Sequence, residues 1–433
     1  MHRSTFPPLS RLLSFIILAR CCLLPGGLES ADWFQFRGPG GLGASDETGL
    51  PSRWSADENM KWRAEMPGPG TSSPIVVGKR VYITCYSGYA ESIETPGQME
   101  NLQRHLVAVQ RDSGKLLWVR DFAPVLPESA YAGGNSSRHG YSSSTPISDG
   151  KRLYLFFGRS GVYCVDLDGK PIWNTLVGDN ARSWGSSNSP LLHEELVIVN
   201  ASIESGALVA LDKKTGQEVW RTDGIRGSWS TPLLVKTSQG DTELIVSVPQ
   251  KILGFDPATG KQLWQCAGIR DGGYVCPSMV AHDGVIYAIG GRRNTALAVR
   301  SGGRGDVTLS HQLWLIDAGS NVASPVYHDG HLYWIHERLG MANCLDATTG
   351  EVKYQERLNP RPGTVYSSVI VADGKLFCVS QHNGTFVISA SPEFQLLSHN
   401  IIANEGSRTN ASPAVHNGQL LLRTDKFLYC IGK

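Results

Sequence analysis

Apolar and polar residues alternate along most of this chain, in short runs that are bounded by turn residues. Runs such as "GKRLYLFF" (150–157), "GVIYAIG" (284–290) and "GHLYWIH" (330–336) show the two-residue period of β-strands. No long apolar pattern follows the 3.6-residue period of an α-helix, and the chain contains 48 Gly and 23 Pro. The pattern therefore predicts an all-β protein rich in turns.

The predicted strands recur in a repeat that begins with a Ser-Pro or Thr-Pro step. The copies align on Pro74, Pro146, Pro190, Pro232, Pro277, Pro325 and Pro413, with Val369 in the remaining slot. After a first spacing of 72 residues, the spacings lie between 42 and 48 residues. Each copy contains four short strands, and this length is typical of a propeller blade. We place the Pro at the first residue of the innermost strand, where a missing N–H donor is tolerated.

The chain ends before its last blade is complete. About three strands follow Pro413, whereas "NMKWRAEM" (59–66) near the N-terminus carries Trp62 in the pattern of a fourth strand. We therefore predict an eight-bladed β-propeller of four-stranded antiparallel blades, closed by an N-terminal strand that completes the last blade.

The later strands of each copy share a signature. A turn of the type D-x-x-T-G leads into a final strand that carries Trp118, Trp173, Trp220, Trp264 or Trp314, with Tyr354 as a variant. The third strand has a small-residue slot, which holds Ala108, Ala210, Gly254, Cys164, Cys344 or Cys430. We interpret these cysteines as buried fillers of that slot.

The N-terminus has the composition of an export signal. Arg3 and Arg11 precede the apolar run "LLSFIIL" (12–18), which is too short to span a bilayer. We predict a signal peptide over 1–30, a leader over 31–58 and the propeller over 59–433, with the mature protein periplasmic, secreted or at the cell surface. The chain has 40 Lys+Arg against 39 Asp+Glu, so it lacks the net positive charge that favours binding to nucleic acid. We also expect a monomer without a transmembrane span.

The units "ALD-x-x-T-G-x-x-x-W", for instance Ala210 to Trp220, resemble the pyrroloquinoline-quinone-type (PQQ-like) repeat propellers across residues 62–433. The leader "DWFQFRGPGGLG" (32–43) resembles the opening of exported bacterial members. That family includes quinoprotein dehydrogenases and the propeller lipoprotein of outer-membrane barrel assembly. The resemblance implies the fold directly and leaves the activity open.

The dehydrogenase branch implies PQQ with calcium, a vicinal cysteine pair beside the cofactor, an Asp base and Glu/Asn/Asp calcium ligands. Here the one vicinal pair, Cys21–Cys22, lies in the predicted signal peptide, and the calcium set has no matching positions. The sequence therefore predicts no catalytic or metal-binding residue.

The links between blades carry the candidate binding residues. An Arg recurs shortly before the Pro position in six copies, and aromatic residues accompany it. These links join an outermost strand to the next innermost strand, so they cross one face, called the top face here, towards the central channel. We predict a funnel rim for an anionic or sugar-like ligand or a protein loop, formed by Arg138, His139, Arg182, Trp184, Arg226, Trp229, Arg270, Tyr274, Arg361, Tyr366 and Arg408.

A structural explanation is open for the same residues. Asp179, Asp223 and Asp271 lie close to these arginines in sequence, so Arg–Asp pairs that lock adjacent blades would give the same recurrence. The aromatic residues would then pack between blades, and His139 would be either a general base or a hydrogen-bonded structural residue. Two insertions of blade one, 87–105 and 123–141, lie on the top face and are expected to cap the channel mouth.

Two functional interpretations follow. The first is a non-enzymatic binding scaffold that works through its top face and funnel. The second is a PQQ-dependent oxidoreductase or a degenerate relative, with the quinone stacked on Trp184, Trp229 or Tyr274.

Overall fold

The computed structural model describes residues 1–2, 32–92, 94–130, 139–181, 184–270 and 273–433. Within them, eight sheets of four antiparallel strands form a ring, so the predicted eight-bladed β-propeller is confirmed. Almost all of the predicted signal peptide falls outside the described residues. No helix in the described part of the chain is long and apolar enough to cross a membrane.

The strands follow the repeat. Two strands precede the first blade, β1 (Ala44–Ser45) and β2 (Met60–Glu65). Blade one contains β3 (Ile75–Val77), β4 (Arg80–Ser87), β5 (Gln103–Gln110) and β6 (Leu116–Phe122), and blade two contains β7 (Ile147–Ser148), β8 (Arg152–Phe156), β9 (Val162–Asp166) and β10 (Pro171–Thr175). Blade three contains β11 (Leu191–His193), β12 (Leu196–Ala201), β13 (Ala207–Asp212) and β14 (Glu218–Asp223), and blade four contains β15 (Leu233–Lys236), β16 (Thr242–Val248), β17 (Lys251–Phe255) and β18 (Gln262–Ala267).

Blade five contains β19 (Val280–His282), β20 (Val285–Gly290) and β21 (Thr295–Arg300), then an insertion with β22 (Gly305–Asp306) and α1 (Thr308–His311), and finally β23 (Gln312–Ile316). Blade six contains β24 (Val326–His328), β25 (His331–Ile335), β26 (Met341–Asp346) and β27 (Val352–Arg357). Blade seven contains β28 (Ile370–Ala372), β29 (Lys375–Val379), β30 (Thr385–Ser389) and β31 (Leu396–Asn400), and blade eight contains β32 (Ala414–His416), β33 (Gln419–Arg423) and β34 (Phe427–Ile431). Short 3-10 turns lie at Pro39–Gly41, Met99–Asn101 and Gly158–Ser160.

Blade eight takes its fourth strand from the N-terminus, as predicted. Strand β2 pairs antiparallel with β34, with Trp62 opposite Cys430. Two further strands extend the blades in parallel: β1 lies beside β28 of blade seven, and β22 lies beside β18 of blade four. The ring therefore joins the two ends of the chain in one sheet.

The tryptophans of the outermost strands connect neighbouring blades. The Trp220 indole N–H donates to the Pro257 carbonyl in the next blade's turn at 3.1 Å, and its ring covers Gly260. A Cβ on Gly260 would lie 2.4 Å from that ring, and its φ of +71° also favours glycine. Trp62, Trp173 and Trp314 make the same donation to Arg111, Lys213 and Ala347. The D-x-x-T-G…W signature is thus a contact between blades as well as a turn.

The small-residue slot is buried as predicted. Cys164, Cys344 and Cys430 are fully buried there, opposite the aromatic residue of the neighbouring strand. Burial raises the pKa of each thiol to about 12, so these side chains stay protonated and apolar.

Candidate binding funnel

A belt of eight hydroxyl groups encircles the central channel. One Ser or Thr from each blade donates its backbone N–H to the hydroxyl of the next blade, over 2.9–3.3 Å. In order around the ring the residues are Ser73, Thr145, Ser189, Thr231, Ser278, Ser324, Ser368 and Ser412, and Ser412 donates back to Ser73. Every blade therefore contributes one link, and the belt closes without a break.

The belt corrects the sequence alignment of blade five. The other seven belt residues stand immediately before the Pro position, and the innermost strand begins one residue after that position. In "CPSMV" (276–280), Ser278 follows the proline and Met279 occupies the aligned slot. The repeat position of blade five is therefore Met279, two residues after the predicted Pro277. The prolines of the other blades precede the innermost strands, whereas the sequence predicted that they begin them.

The leader lies across one end of the channel. Its backbone carbonyls accept N–H groups from blade one (Trp33 from Val76), blade two (Phe34 from Ser148) and blade seven (Gly43 from Val371). The Arg37 guanidinium is buried and donates to the Pro325 carbonyl of blade six, with Arg37 itself at φ +62°. Phe36 lines the main cavity from below, so the channel is a funnel with the leader as its floor.

The funnel has a volume of about 790 Å³ and one aromatic wall. Trp184 lies 4.5 Å from Tyr274 and 5.3 Å from Trp229 between ring centroids, and Trp229 meets Tyr274 edge-on at 6.2 Å. Tyr366 lines the cavity as well. The structure thus brings together the four aromatic residues that the sequence placed at the rim. Trp229 is buried and donates its indole N–H to the Gly185 carbonyl, whereas Trp184 and Tyr274 keep exposed surface.

His139 closes the aromatic wall as a neutral residue. Its Nε2 donates to the Trp184 carbonyl, and its Nδ1 accepts from the Ser143 hydroxyl at 2.6 Å. Burial lowers the pKa of His139 to about 4, with a smaller lowering from the charge of Arg408. The imidazole therefore positions the Trp184 backbone, which supports the structural interpretation of this residue.

This placement predicts acid sensitivity of the funnel wall. The folded state binds the His139 proton more weakly than the unfolded chain, whose ordinary pKa is 6.5. Stability contributed by neutral His139 is therefore complete above pH 6.5 and is lost as the pH falls from 6.5 towards 4, by at most about 3 kcal/mol. Urea unfolding at several pH values should show that His139→Asn removes this part of the pH dependence. Equal pH dependence in both proteins would contradict it.

Polar side chains face the aromatic wall. The buried Glu337 carboxylate accepts from the Ser320 hydroxyl and the Asn321 N–H, both at 3.1 Å. Asn321 donates in turn to the Tyr274 hydroxyl at 2.5 Å, and Asn294 lies 3.2 Å from His336 Nε2. In the described part of the lining, Glu337 is the single carboxylate.

Of the predicted arginines that the structure describes, none lines the funnel. Arg138 and Arg182 lie outside the described residues. Arg226 and Arg361 are exposed, Arg270 pairs with Asp317 at 2.6 Å, and Arg408 pairs with Asp425 at 2.9 Å. The two pairs use other aspartates than those noted in the sequence.

Two arginines that the sequence did not single out contact the cavity instead. Arg292 lies over the Tyr274 ring at 5.3 Å, and Arg338 is exposed in the lining. Both stand in turns between the second and third strands of their blades. The recurring arginine pattern of the sequence lies in the links between blades and does not include these turns. The residue type alone therefore gave no signal for them.

The blade-one insertions pack mainly against each other. Tyr86, Tyr89, Leu102 and Tyr141 form one buried cluster, and Arg104 pairs with Glu128 at 2.5 Å. Of these two segments, His139 alone lines the funnel among the described residues, and 131–138 fall outside them.

The lining does not fit a calcium-bound quinone. Calcium takes six to eight oxygen ligands, usually with several carboxylates. Among the described residues no three His, Cys, Asp or Glu side chains stand close enough to hold a metal ion, and Glu337 is already engaged. Cys276 is the one lining cysteine in that set, and burial raises its pKa to about 12.

Known proteins share this architecture. The family described as "Outer membrane protein assembly factor BamB" matches residues 103–354. A polyvinylalcohol dehydrogenase of Pseudomonas sp is 24% identical over 331 residues, which are 64% of this chain and 46% of that protein. This chain therefore spans less than half of that dehydrogenase's length.

One further relative and one solved structure are similar to this chain. Outer membrane protein assembly factor BamB of Yersinia pestis is 24% identical over 325 residues, 69% of this chain and 75% of that protein. The crystal structure of a quinohemoprotein alcohol dehydrogenase from Comamonas testosteroni superposes with a TM-score of 0.60 at 10% identity, over 93% of this chain and 80% of that one. At that identity the superposition shows a common fold. Since the family match covers more than half of the sequence, this chain belongs to the PQQ-like repeat β-propeller family described as outer membrane protein assembly factor BamB.

Proposed function

We propose that this chain is an exported, non-enzymatic binding scaffold that holds a protein loop or an anionic or sugar-like ligand in its funnel. The observation that carries the proposal is the aromatic wall of Trp184, Trp229 and Tyr274 in a funnel that is open on the top face. Aromatic faces and edges bind rings of many kinds, and a cavity of this size encloses a small ligand or one side-chain loop.

The polar lining supports the same proposal. Six belt hydroxyls reach the cavity, from Ser73, Thr231, Ser278, Ser324, Ser368 and Ser412. Each accepts one backbone N–H, which polarises its own O–H as a donor towards acceptor-rich groups such as sugar hydroxyls or carboxylates. Arg292 and Arg338 outnumber the Glu337 carboxylate, so the lining favours a ligand with negative charge.

The alternative is a quinone-dependent oxidoreductase. The similarity to a polyvinylalcohol dehydrogenase favours it, as does an aromatic wall on which a flat cofactor could stack. The shortage of carboxylates in the described lining weighs against the calcium that such a cofactor requires.

A titration distinguishes the two functions. Purified protein is titrated with hexagalacturonate, a Glu/Tyr peptide and PQQ, each with and without calcium, by tryptophan fluorescence and calorimetry. We expect calcium-independent binding of an acidic sugar or peptide with a Kd between about 1 μM and 1 mM, that is, roughly −8 to −4 kcal/mol. Trp184→Ala should weaken binding about tenfold or more, because it removes one of the two aromatic rings of the wall that keep exposed surface.

Trp118→Ala is the matched control, since Trp118 lies on an outermost strand away from the funnel. It should change the fluorescence and leave the affinity intact. Saturable, calcium-dependent PQQ binding with dye-linked alcohol oxidation would establish the alternative. Absence of binding by every probe up to about 1 mM would contradict the funnel as a ligand site.

A further inference from the structure

Three side chains of blade one form a relay that the sequence did not indicate. Ser87 ends β4, His105 lies in β5 and Asp121 lies in β6. The Ser87 hydroxyl lies 2.7 Å from His105 Nε2, and His105 Nδ1 lies 2.7 Å from an Asp121 carboxylate oxygen. Nucleophile, base and orienting acid thus follow one another at hydrogen-bond distance.

Strand pairing places them on one face of the blade. His105 stands opposite Asp121 in the β5–β6 pair and opposite Cys85 in the β4–β5 pair. Ser87 is two residues beyond Cys85 and therefore points to the same face as its diagonal neighbour His105. Both lie in paired strands at the two ends of the insertion 87–105, so the register of β4 and β5 sets their distance.

The hydrogen bonds fix the proton positions. The Asp121 carboxylate accepts from His105 Nδ1–H, and in the neutral imidazole this leaves the Nε2 lone pair for the Ser87 O–H. Neither Ser87 nor Asp121 makes another side-chain hydrogen bond among the described residues. The His105 side chain is 9% exposed and the Asp121 side chain is 69% exposed, so the relay runs from a buried base to solvent.

The residue after the serine supplies an N–H that binds an oxygen anion. The Gly88 N–H donates to a Glu91 carboxylate oxygen at 2.6 Å. Gly88 has φ +80°, and a Cβ there would lie 2.0 Å from the Asn101 carbonyl oxygen, so only glycine fits and the N–H direction is fixed. The N–H of the residue after the nucleophile is a usual oxyanion donor in serine hydrolases. In the described structure this N–H is occupied by the Glu91 carboxylate.

We propose that Ser87, His105 and Asp121 form a second site that hydrolyses short carboxylic esters. Ser87 Oγ attacks the ester carbonyl carbon while His105 Nε2 takes the hydroxyl proton, and the Gly88 N–H binds the oxyanion once Glu91 has moved aside. The C–O bond to the alcohol breaks as His105 returns the proton to it. Water then attacks the acyl-serine with His105 as base, which releases the acid and restores Ser87.

Position limits the substrate. Ser87 is half-buried beside an exposed carboxylate and does not line the funnel, so the acyl group must be short and the ester must be reached from solvent. Asp121 acts through His105 and is a positioning residue. This site is separate from the proposed funnel function, and Ser87→Ala should leave the funnel's affinities unchanged.

The test uses the purified protein with p-nitrophenyl acetate and with a fluorophosphonate probe. We expect hydrolysis on the order of 10²-fold above the buffer rate and a fluorophosphonate adduct that peptide mass spectrometry places on Ser87. Ser87→Ala should abolish both. Asp121→Asn should lower kcat at least about tenfold with little change in KM and should shift the pH–rate profile, which a merely structural role would not do.

Ser113→Ala is the matched control, because Ser113 lies in a turn of the same blade and bonds only Gln110 and local backbone. It should hydrolyse and label like the original protein. A protein that stays unlabelled, carries the label elsewhere, or loses no activity in Ser87→Ala overturns the proposal. Thermal unfolding of each variant separates loss of chemistry from loss of fold.

Discussion

We expect Trp62→Ala to lower the free energy of unfolding by about 3–5 kcal/mol, the usual range for truncating a buried tryptophan. The Trp62 side chain is 8% exposed, its indole N–H donates to the Arg111 carbonyl at 2.7 Å, and its ring covers Gly114 of blade one. Trp62 lies on β2, the strand that completes blade eight. It therefore contributes to the packing of that blade and to the contact between blade eight and blade one. Its loss therefore weakens the closure of the ring.

Urea unfolding and hydrogen exchange measure the effect. Exchange should accelerate first in β2 and β34, which meet at the closure. Trp118→Ala is the control in the equivalent slot: Trp118 is partly exposed, and its indole N–H has no acceptor among the described residues. Trp118→Ala should lower the free energy of unfolding by less and should not accelerate hydrogen exchange in β2 and β34. A change below about 1 kcal/mol in Trp62→Ala would show that β2 contributes little to closure.

The second large effect is expected for Gly254→Ala, at about 1–3 kcal/mol, the usual range for overpacking a core. Gly254 pairs with Trp264, and a Cβ on Gly254 would lie 2.2 Å from the Trp264 ring. This indole does not donate to the next blade. It turns inward and donates to the buried Glu243 carboxylate at 2.8 Å, which also accepts the Gly302 N–H of the blade-five insertion at 3.0 Å. An added methyl group displaces the Trp264 ring and breaks its hydrogen bond to Glu243, which connects blade four to the blade-five insertion.

The measurement is urea unfolding together with the near-ultraviolet signal of the tryptophans. Gly406→Ala is the control, because a Cβ there meets no atom within 4 Å and its φ is not in the left-handed region. It should leave stability unchanged or raise it slightly, since alanine reduces the entropy of the unfolded chain. Comparable stability of Gly254→Ala and the original protein would mean that the Trp264 ring has room to move.

In blade four the sequence predicts a small residue but not the reason why that residue is glycine. The slot of Gly254 was predicted as a small-residue position, and that is correct. In four other blades the indole reaches the turn of the next blade. In blade five the insertion replaces that turn, so the Trp264 indole turns inward over residue 254 and leaves room for glycine alone. The repeat of blade four does not indicate this change, because it depends on the insertion in blade five that includes Gly302.

In the candidate site the sequence also predicted some lining residues correctly and others not. The sequence placed Trp184, Trp229, Tyr274, Tyr366 and His139 at the channel, and the structure brings these five together around one cavity. The four recurrent arginines that the structure describes do not line the cavity, and Arg270 and Arg408 pair with aspartates. Strand periodicity fixes the face of a side chain, but the inter-blade links have no period. In a link, a long cationic side chain turns towards water or an acid, because burial without a partner is costly.

By itself the sequence determined the all-β class, the eight blades, the N-terminal strand that closes the ring and the D-x-x-T-G turns before the outermost strands. These follow from local rules, namely a two-residue period, turn chemistry and a repeat that counts blades. Only the tertiary structure decided the hydroxyl belt and the true register of blade five, the leader as the funnel floor, the side chains that line the cavity, and the Ser87–His105–Asp121 relay. Each of these joins residues from different strands or blades, so it depends on how separate segments meet in the closed ring.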